Sequence, residues 1–192
     1  ILYSTDQLSG CIDRELAVSG SVYPWVSSGG DGAYEVGQFY YSNCDTQVLG
    51  EILFRASGQD TGLFAQQNLF EPLNMEAHWW RDGVETGQAN GNYLTYCCLD
   101  MTAQDFAKFG YMLLLGGVET SEGKNYASYI SNILAQEQTY RNQFWAYCDT
   151  QPFTASADCA NVLVMTIGFD GQYILVDQKN DIVLVRNSLY EP

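Results

Sequence analysis

The spacing of apolar residues predicts helices through the middle of the chain. Apolar residues recur at helical spacing after a polar start at Asn43 or Asp45 and stop before Gly58. The apolar positions of this predicted helix are Val48, Leu49, Ile52, Leu53 and Ala56. A shorter helix is expected over 61–69 and a further one over 126–138.

The stretch MTAQDFAKFGYMLLLGG carries a complete set of helix signals. Thr102 is predicted as the N-cap, with Asp105 three positions later as a variant of the capping box. The paired glycines Gly116-Gly117 are expected to end the helix. Its predicted apolar face consists of Phe106, Phe109, Leu113 and Leu114.

The period changes near the carboxy terminus, where NVLVMTI, QYILVD and DIVLVRN are short runs rich in Val, Ile and Leu. Such runs predict strands, and the polar turn 178–180 joins the last two as an antiparallel hairpin. Helices followed by a hairpin indicate an α+β fold with helices packed on an antiparallel sheet. We expect one domain over 1–192, in which 1–43 is a loop region that shapes a cleft and 44–192 holds the helices and the hairpin.

The charge and hydrophobicity of the chain argue against several classes of function. The chain has 192 residues and a net charge of -15 with only 8 basic residues, which argues against a nucleic-acid partner because phosphate binding needs clustered Lys and Arg. No stretch reaches the ~20 apolar residues that span a bilayer. The acidic, aromatic-rich, Lys-poor composition is typical of periplasmic or secreted proteins, which is the predicted location.

The six cysteines lack the spacing of a metal site, so no metal is expected. Cys148 and Cys159 bracket a loop-like stretch that a disulfide would close for roughly 3 kcal/mol. Buried free thiols are the alternative. The sequence leaves open whether the adjacent Cys97 and Cys98 are bonded.

Most catalytic signatures are missing or out of context. His78 is the single histidine, no Gly-x-Ser-x-Gly elbow exists, and we expect His78 in or beside an aromatic cluster. The glycine-rich GGDG at 29–32 lacks the Lys-Ser/Thr of a phosphate loop. A literal Ser-x-x-Lys occurs at Ser121 and Lys124, but the adjacent glycines favour a surface turn.

The segment Tyr41-Ser42-Asn43 is different, because it lies directly before a predicted helix. There a phenol and a carboxamide can face the same cleft, where the phenol can act as a general base. The alternative is structural, with Asn43 only capping the helix.

Four ordered blocks over residues 36–188 resemble the carboxy-terminal half of the serine β-lactamase-related family, in particular the class C-like hydrolases such as family VIII esterases and 6-aminohexanoate-oligomer hydrolases. The blocks are YYSNCDTQVLGEILFRASGQDTGLFAQQNLFEPLNM, MTAQDFAKFGYMLLLGG, FWAYC and GFDGQYILVDQKNDIVLVR. The resemblance implies a β-lactamase/transpeptidase-like fold and a catalytic role for Tyr41, with Asn43 near the catalytic lysine. It also implies an oxyanion-hole amide near Gly168 and Phe169, and a pocket wall at Trp145.

The chain departs from the family pattern at two points. The nucleophilic Ser-x-x-Lys of the family lies well upstream of the Tyr-x-Asn, and this chain has no such motif there. The Lys-Thr-Gly of β-lactamases is also absent around Thr166 and Gly168, which favours an ester or amide substrate over a β-lactam.

We therefore expect the carboxy-terminal part of a serine hydrolase that acts through an acyl-enzyme without a cofactor. An N-terminal fragment of the same precursor would then supply the nucleophile. The alternative is an inactive family member that uses its aromatic residues as a binding module.

Overall fold

A computed structural model describes Tyr41 and residues 43–81, 91–117, 127–135, 140–149, 159 and 161–188. The described residues divide between two compact units. The first contains those up to Asn68 and those within His78–Asp100, and the second contains Leu69–Ala77 and those from Met101 onward. The single domain expected over 1–192 stays a prediction, and the cleft-shaping loop of 1–43 lies almost wholly outside the described residues.

Helix α1 spans Asn43–Ser57, as the sequence predicts. It ends at Gly58, which has a φ of 67° and donates its N–H to the Phe54 carbonyl at 3.0 Å, as in an αL cap. The buried positions are not the predicted apolar ones, however. Leu49 and Ile52 are 49% and 54% exposed, whereas Gln47, Gly50 and Glu51 are buried.

Helix α2 spans Thr61–Ala65 and is capped by Asp60, whose carboxylate accepts the Leu63 N–H at 3.1 Å. The predicted helix over 61–69 is correct only to Ala65, since Gln66–Phe70 form a π-helical turn. The side chain of Asn68 donates to the Phe64 carbonyl at 2.7 Å and so occupies an acceptor that an α-helical N–H would use.

Two short strands follow, β1 (Ala77–Trp79) and β2 (Leu99–Met101), which pair as a two-stranded sheet. His78 lies on β1 and is exposed. Trp79 donates its indole N–H to the carbonyls of Leu94 and Cys97, each at 3.0 Å, and its ring contacts Tyr93. These bonds fix the chain around β1 through backbone acceptors.

Helix α3 (Ala103–Leu114) confirms the predicted cap and face. The Thr102 hydroxyl accepts the Asp105 N–H at 3.1 Å, and the helix ends at Gly116 and Gly117, both at positive φ. All four predicted face residues belong to the core or pack against it. Helix α4 spans Ala127–Ala135, and the remaining ends of the predicted helix lie outside the described residues.

The second unit contains a five-stranded antiparallel meander in the order β3-β4-β5-β6-β7. The strands are β3 (Tyr140–Arg141), β4 (Phe144–Cys148), β5 (Val162–Ile167), β6 (Tyr173–Asp177) and β7 (Ile182–Arg186). The last three are the strands predicted from the sequence. Helix α3 packs on β6 and β7, and the shared core consists of Met112, Leu113, Ile130, Ile133, Phe144, Val164, Ile174 and Val176.

A disulfide joins Cys148 at the end of β4 to Cys159 shortly before β5, which confirms the pair predicted from the sequence. A second disulfide joins the adjacent Cys97 and Cys98. Near the first bond, the buried Asn161 amide donates to the carboxylates of Asp149 and Asp177 at 3.2 and 3.1 Å. These hydrogen bonds join the two ends of the segment between β4 and β5 to the end of β6.

Candidate active site

Tyr41 and Asn43 lie where the chain enters α1. Tyr41 is 49% exposed, and Asn43 is the first residue of the helix. The backbone N–H groups of a first helical turn are not used within the helix, and the positive end of the helix dipole lies there. An exposed phenol and an amide at this position can both reach a substrate or a catalytic group that approaches the helix start.

The buried side chain of Gln47 positions the start of α1. Gln47 is 2% exposed, donates its amide N–H to the Tyr93 carbonyl at 2.7 Å and accepts the Thr95 N–H at 3.0 Å. The Thr95 hydroxyl donates to the Thr46 carbonyl at 3.1 Å. These three bonds attach the second turn of α1, one turn after Asn43, to the segment Tyr93–Thr95.

Gly50 completes this contact on the next turn of α1. A Cβ at position 50 would lie 2.5 Å from the side chain of Thr95, so only glycine allows the helix to approach this closely. No pattern in the sequence indicates this arrangement, because a Gln on a helix is ordinarily a surface residue. Neither Gln47 nor Thr95 was among the predicted site residues.

A charged cluster fixes the start of α2 in the same unit. Arg81 donates to the carboxylate of Asp60 at 2.7 Å and to the hydroxyl of Tyr93 at 2.5 Å, and its guanidinium lies 3.9 Å from the Tyr93 ring centroid. Burial raises the pKa of Asp60, but hydrogen bonds from the Leu63 N–H and from Arg81 outweigh it and leave this pKa below its usual range. Burial, followed by the nearby Asp60 charge, raises the pKa of Tyr93. The cluster therefore holds a carboxylate and a neutral phenol at neutral pH.

In the second unit, Gly168 and Phe169 form the turn between β5 and β6. The Gly168 N–H donates to the Gln172 carbonyl at 2.8 Å, so this amide is used within the hairpin. A Cβ at position 168 would lie 3.0 Å from Gln172 Cβ, so a larger residue there would have to displace the Gln172 side chain. Phe169 begins a short 3-10 turn, Phe169–Gly171, and is 72% exposed.

Trp145 lies on β4 with its side chain on the face opposite the core. Phe144, Ala146 and Cys148 are buried, so Trp145 and Tyr147 alternate to the other face. The ring of Trp145 is parallel to that of Tyr147 within 3° at 6.1 Å and meets Tyr140 edge-on at 4.9 Å. The three rings form an aromatic row, and burial raises the pKa of Tyr147.

The predicted site residues thus fall into two sets. Tyr41 and Asn43 belong to the first unit, and Trp145, Gly168 and Phe169 belong to the second. Ser121 and Lys124 lie outside the described residues. Across the described ranges no group of three or more His, Cys, Asp or Glu side chains could hold a metal ion, and no helix there is sufficiently long and apolar for a bilayer.

Comparison with known proteins identifies the fold. No protein-family profile matches the chain, and no curated protein does. Among solved structures, a "Putative 6-aminohexanoate-dimer hydrolase from Bacillus anthracis" matches with a TM-score of 0.62 and 21% sequence identity. The match covers 80% of this chain and 39% of that protein.

The fold prediction is confirmed. Hydrolases of 6-aminohexanoate oligomers are among the β-lactamase-related proteins that the sequence blocks resemble, and the α+β architecture with an antiparallel sheet agrees with that resemblance. At this level of identity the likeness establishes the fold alone. The chain also spans well under half the length of its structural neighbour, so the activity of a complete enzyme is a matter for proposal.

Proposed function

We propose that this chain is the carboxy-terminal part of a serine hydrolase of the β-lactamase-related family, acting on a carboxylic ester or amide through an acyl-enzyme. One observation carries the proposal. In a chain with the fold of such hydrolases, the exposed Tyr41 lies two residues before Asn43, the first residue of a helix, in the Tyr-x-Asn spacing that the resemblance implies.

The proposed chemistry is acyl transfer. A serine hydroxyl attacks the carbonyl carbon while Tyr41, with a lysine, takes the hydroxyl proton, and Tyr41 then returns the proton to the leaving group. Asn43 positions the lysine or the substrate carbonyl. Water repeats the sequence in the second half-reaction and releases the acid.

The negative charge on the tetrahedral oxygen needs preorganised donors. We propose that the backbone of the turn containing Gly168 and Phe169 supplies one of these donors, and within this turn the Gly168 N–H is bonded to the Gln172 carbonyl. By the resemblance, we propose a substrate-binding role for the exposed Phe169 side chain and for the aromatic row that contains Trp145.

The serine and lysine would come from an N-terminal segment of the same precursor. The chain contains one literal Ser-x-x-Lys, at 121–124, and it includes a glycine within the motif. On β7, Ile182 and Leu184 point to the same face and are 48% and 51% exposed, and further chain would bury such apolar side chains favourably. The two disulfides support a periplasmic or secreted location, where disulfides persist.

Labelling with a fluorophosphonate probe, followed by intact-mass and gel analysis, tests this proposal on the protein as its gene encodes it. The proposal predicts label on a serine of an upstream Ser-x-x-Lys, in the same polypeptide or in an associated fragment. Absence of label in a sample that contains all upstream sequence contradicts it. The aromatic row of Tyr140, Trp145 and Tyr147 would then favour the alternative, a binding module without a nucleophile.

A further inference from the structure

The adjacent cysteines Cys97 and Cys98 form a disulfide in the segment that holds the start of α1. We propose that this disulfide is a redox switch. In the oxidised form it fixes the turn that positions Tyr41 and Asn43, and its reduction by a dithiol loosens the turn and lowers the activity of the site. The predicted loss of activity rests on the proposed hydrolase function. The predicted loosening of the turn does not.

The backbone at this turn is unusual for residues with side chains. Cys98 has a φ of 68°, in the left-handed region that non-glycine residues rarely adopt. A bond between the sulfurs of neighbouring residues closes a small ring and restricts the backbone of both. Once the bond is broken, Cys98 can relax toward the negative φ that L-residues prefer.

Both cysteine carbonyls take part in the contacts around β1. The Cys97 carbonyl accepts the indole N–H of Trp79, and the Cys98 carbonyl accepts the N–H of Trp80, each at 3.0 Å. The Cys97 N–H in turn donates to the Leu94 carbonyl at 3.0 Å. A change in φ at Cys98 rotates these carbonyls and therefore disturbs the turn from Leu94 to Cys98 as a unit.

The same turn contacts α1 directly. Thr95, two residues before Cys97, donates its N–H to Gln47 and its hydroxyl to the Thr46 carbonyl, and its side chain lies against Gly50. Gln47 is buried and lies one turn after Asn43, so displacement of Thr95 reaches the helix start over a short, continuous path of hydrogen bonds. All of these residues belong to the first unit.

The redox step is ordinary thiol–disulfide exchange. A thiolate of the dithiol attacks the sulfur of one cysteine, the Cys97–Cys98 bond breaks, and the second thiol of the reductant then closes its own disulfide. Two electrons and two protons end on the thiols of Cys97 and Cys98. Both residues are partly exposed, so an attacking thiolate can reach them.

Hydrogen exchange followed by mass spectrometry tests the switch on the full-length gene product. The Cys11→Ser/Cys44→Ser/Cys148→Ser/Cys159→Ser background leaves Cys97 and Cys98 as the remaining cysteines of this sequence, so that dithiothreitol acts on the bond between them. Reduction should add the mass of two hydrogens to the peptide that contains both cysteines. It should also speed amide exchange in residues 43–53 roughly tenfold, which is a typical size for coupling through packed networks. Exchange in β5 and β6 serves as the internal control and should not change.

A Cys97→Ser/Cys98→Ser variant should show the fast exchange without reductant. Hydrolysis of a chromogenic ester, measured in parallel, should fall in the reduced protein. Equal exchange of residues 43–53 in both redox states overturns the inference, as does alkylation of Cys97 and Cys98 without prior reduction. Faster exchange with no hydrolysis in either state would contradict the hydrolase proposal while it supports the positional coupling.

Discussion

Replacing Gly110 with alanine adds one methyl group where α3 lies against the sheet. The added Cβ would lie 2.6 Å from Val183 Cγ1 and 2.9 Å from Ile174 Cγ2. Alanine in place of a mid-helix glycine stabilises by about 0.5–1 kcal/mol, whereas overpacking a core costs about 1–3 kcal/mol. Both contacts are below normal van der Waals separation, so the packing cost should exceed the helix gain, and the net destabilisation should be about 1 kcal/mol.

Urea unfolding measures this effect, and Val183→Ala provides the matched control. In that background the nearest remaining atom of residue 183 is Cβ, 3.8 Å from the added methyl group. The 2.9 Å contact with Ile174 Cγ2 remains, so Gly110→Ala should cost less than in the wild type but not zero, and the difference between the two costs is the coupling free energy between positions 110 and 183. Stabilisation by Gly110→Ala in both backgrounds would show that α3 does not approach β7 as closely as described.

Three further predictions concern stability. Cys148→Ser/Cys159→Ser opens a loop closed over a sequence separation of 11 and should cost about 3 kcal/mol, measured by urea unfolding against the oxidised protein. Thr102→Ala removes the cap of α3 and should cost about 1 kcal/mol, seen as a lower Tm, whereas Thr102→Ser should restore most of it. Hydrogen bonds, first from the Asn180 amide, outweigh burial and lower the pKa of Asp177, so its carboxylate stabilises the fold above the unfolded pKa of about 3.9. This stabilisation is lost as the pH falls through the folded pKa. The cost of Asp177→Asn should therefore be largest near neutral pH and shrink in acid, and a constant cost across unfolding curves at several pH values would refute the assignment.

Local signals in the sequence were sufficient for the elements whose ends are set by short-range chemistry. The cap at Thr102, the stop at Gly58 and the glycines after α3 all depend on residues within a few positions of each other, and each begins or ends its helix as predicted. The strands β5, β6 and β7 could be predicted because each is a run of apolar residues bounded by polar turns.

Features that depend on contacts between residues far apart in the chain could not be predicted from the sequence. Gln47 is buried because Tyr93 and Thr95 supply its partners from 46 and 48 positions away, and no local pattern indicates this. β4 consists of aromatic residues, Ala and Cys and lacks the Val, Ile and Leu run of β5, β6 and β7, so its pairing with β5 identifies it as a strand. The π-helical turn after α2 coincides with a side-chain bond of Asn68 that the apolar pattern does not show.

The site residues were predicted from motifs. Their positions in the structure differ in how well they fit the catalytic roles that the motifs imply. Tyr41 and Asn43 have the expected position at the entry of a helix. Gly168 lies in the turn after β5, and its N–H is bonded to the Gln172 carbonyl, a bond that no sequence pattern indicates. Their catalytic roles stay predictions.

The turnover of Tyr41→Phe in the complete enzyme tests the central claim most directly. The substitution removes one hydroxyl from a side chain that is 49% exposed, so the fold should tolerate it, as an unchanged Tm would verify. Loss of a general base and acid should lower kcat for a chromogenic ester by about 10²–10⁴-fold. Wild-type kcat in a correctly folded Tyr41→Phe enzyme would contradict the catalytic role of Tyr41 and, with it, the proposed mechanism.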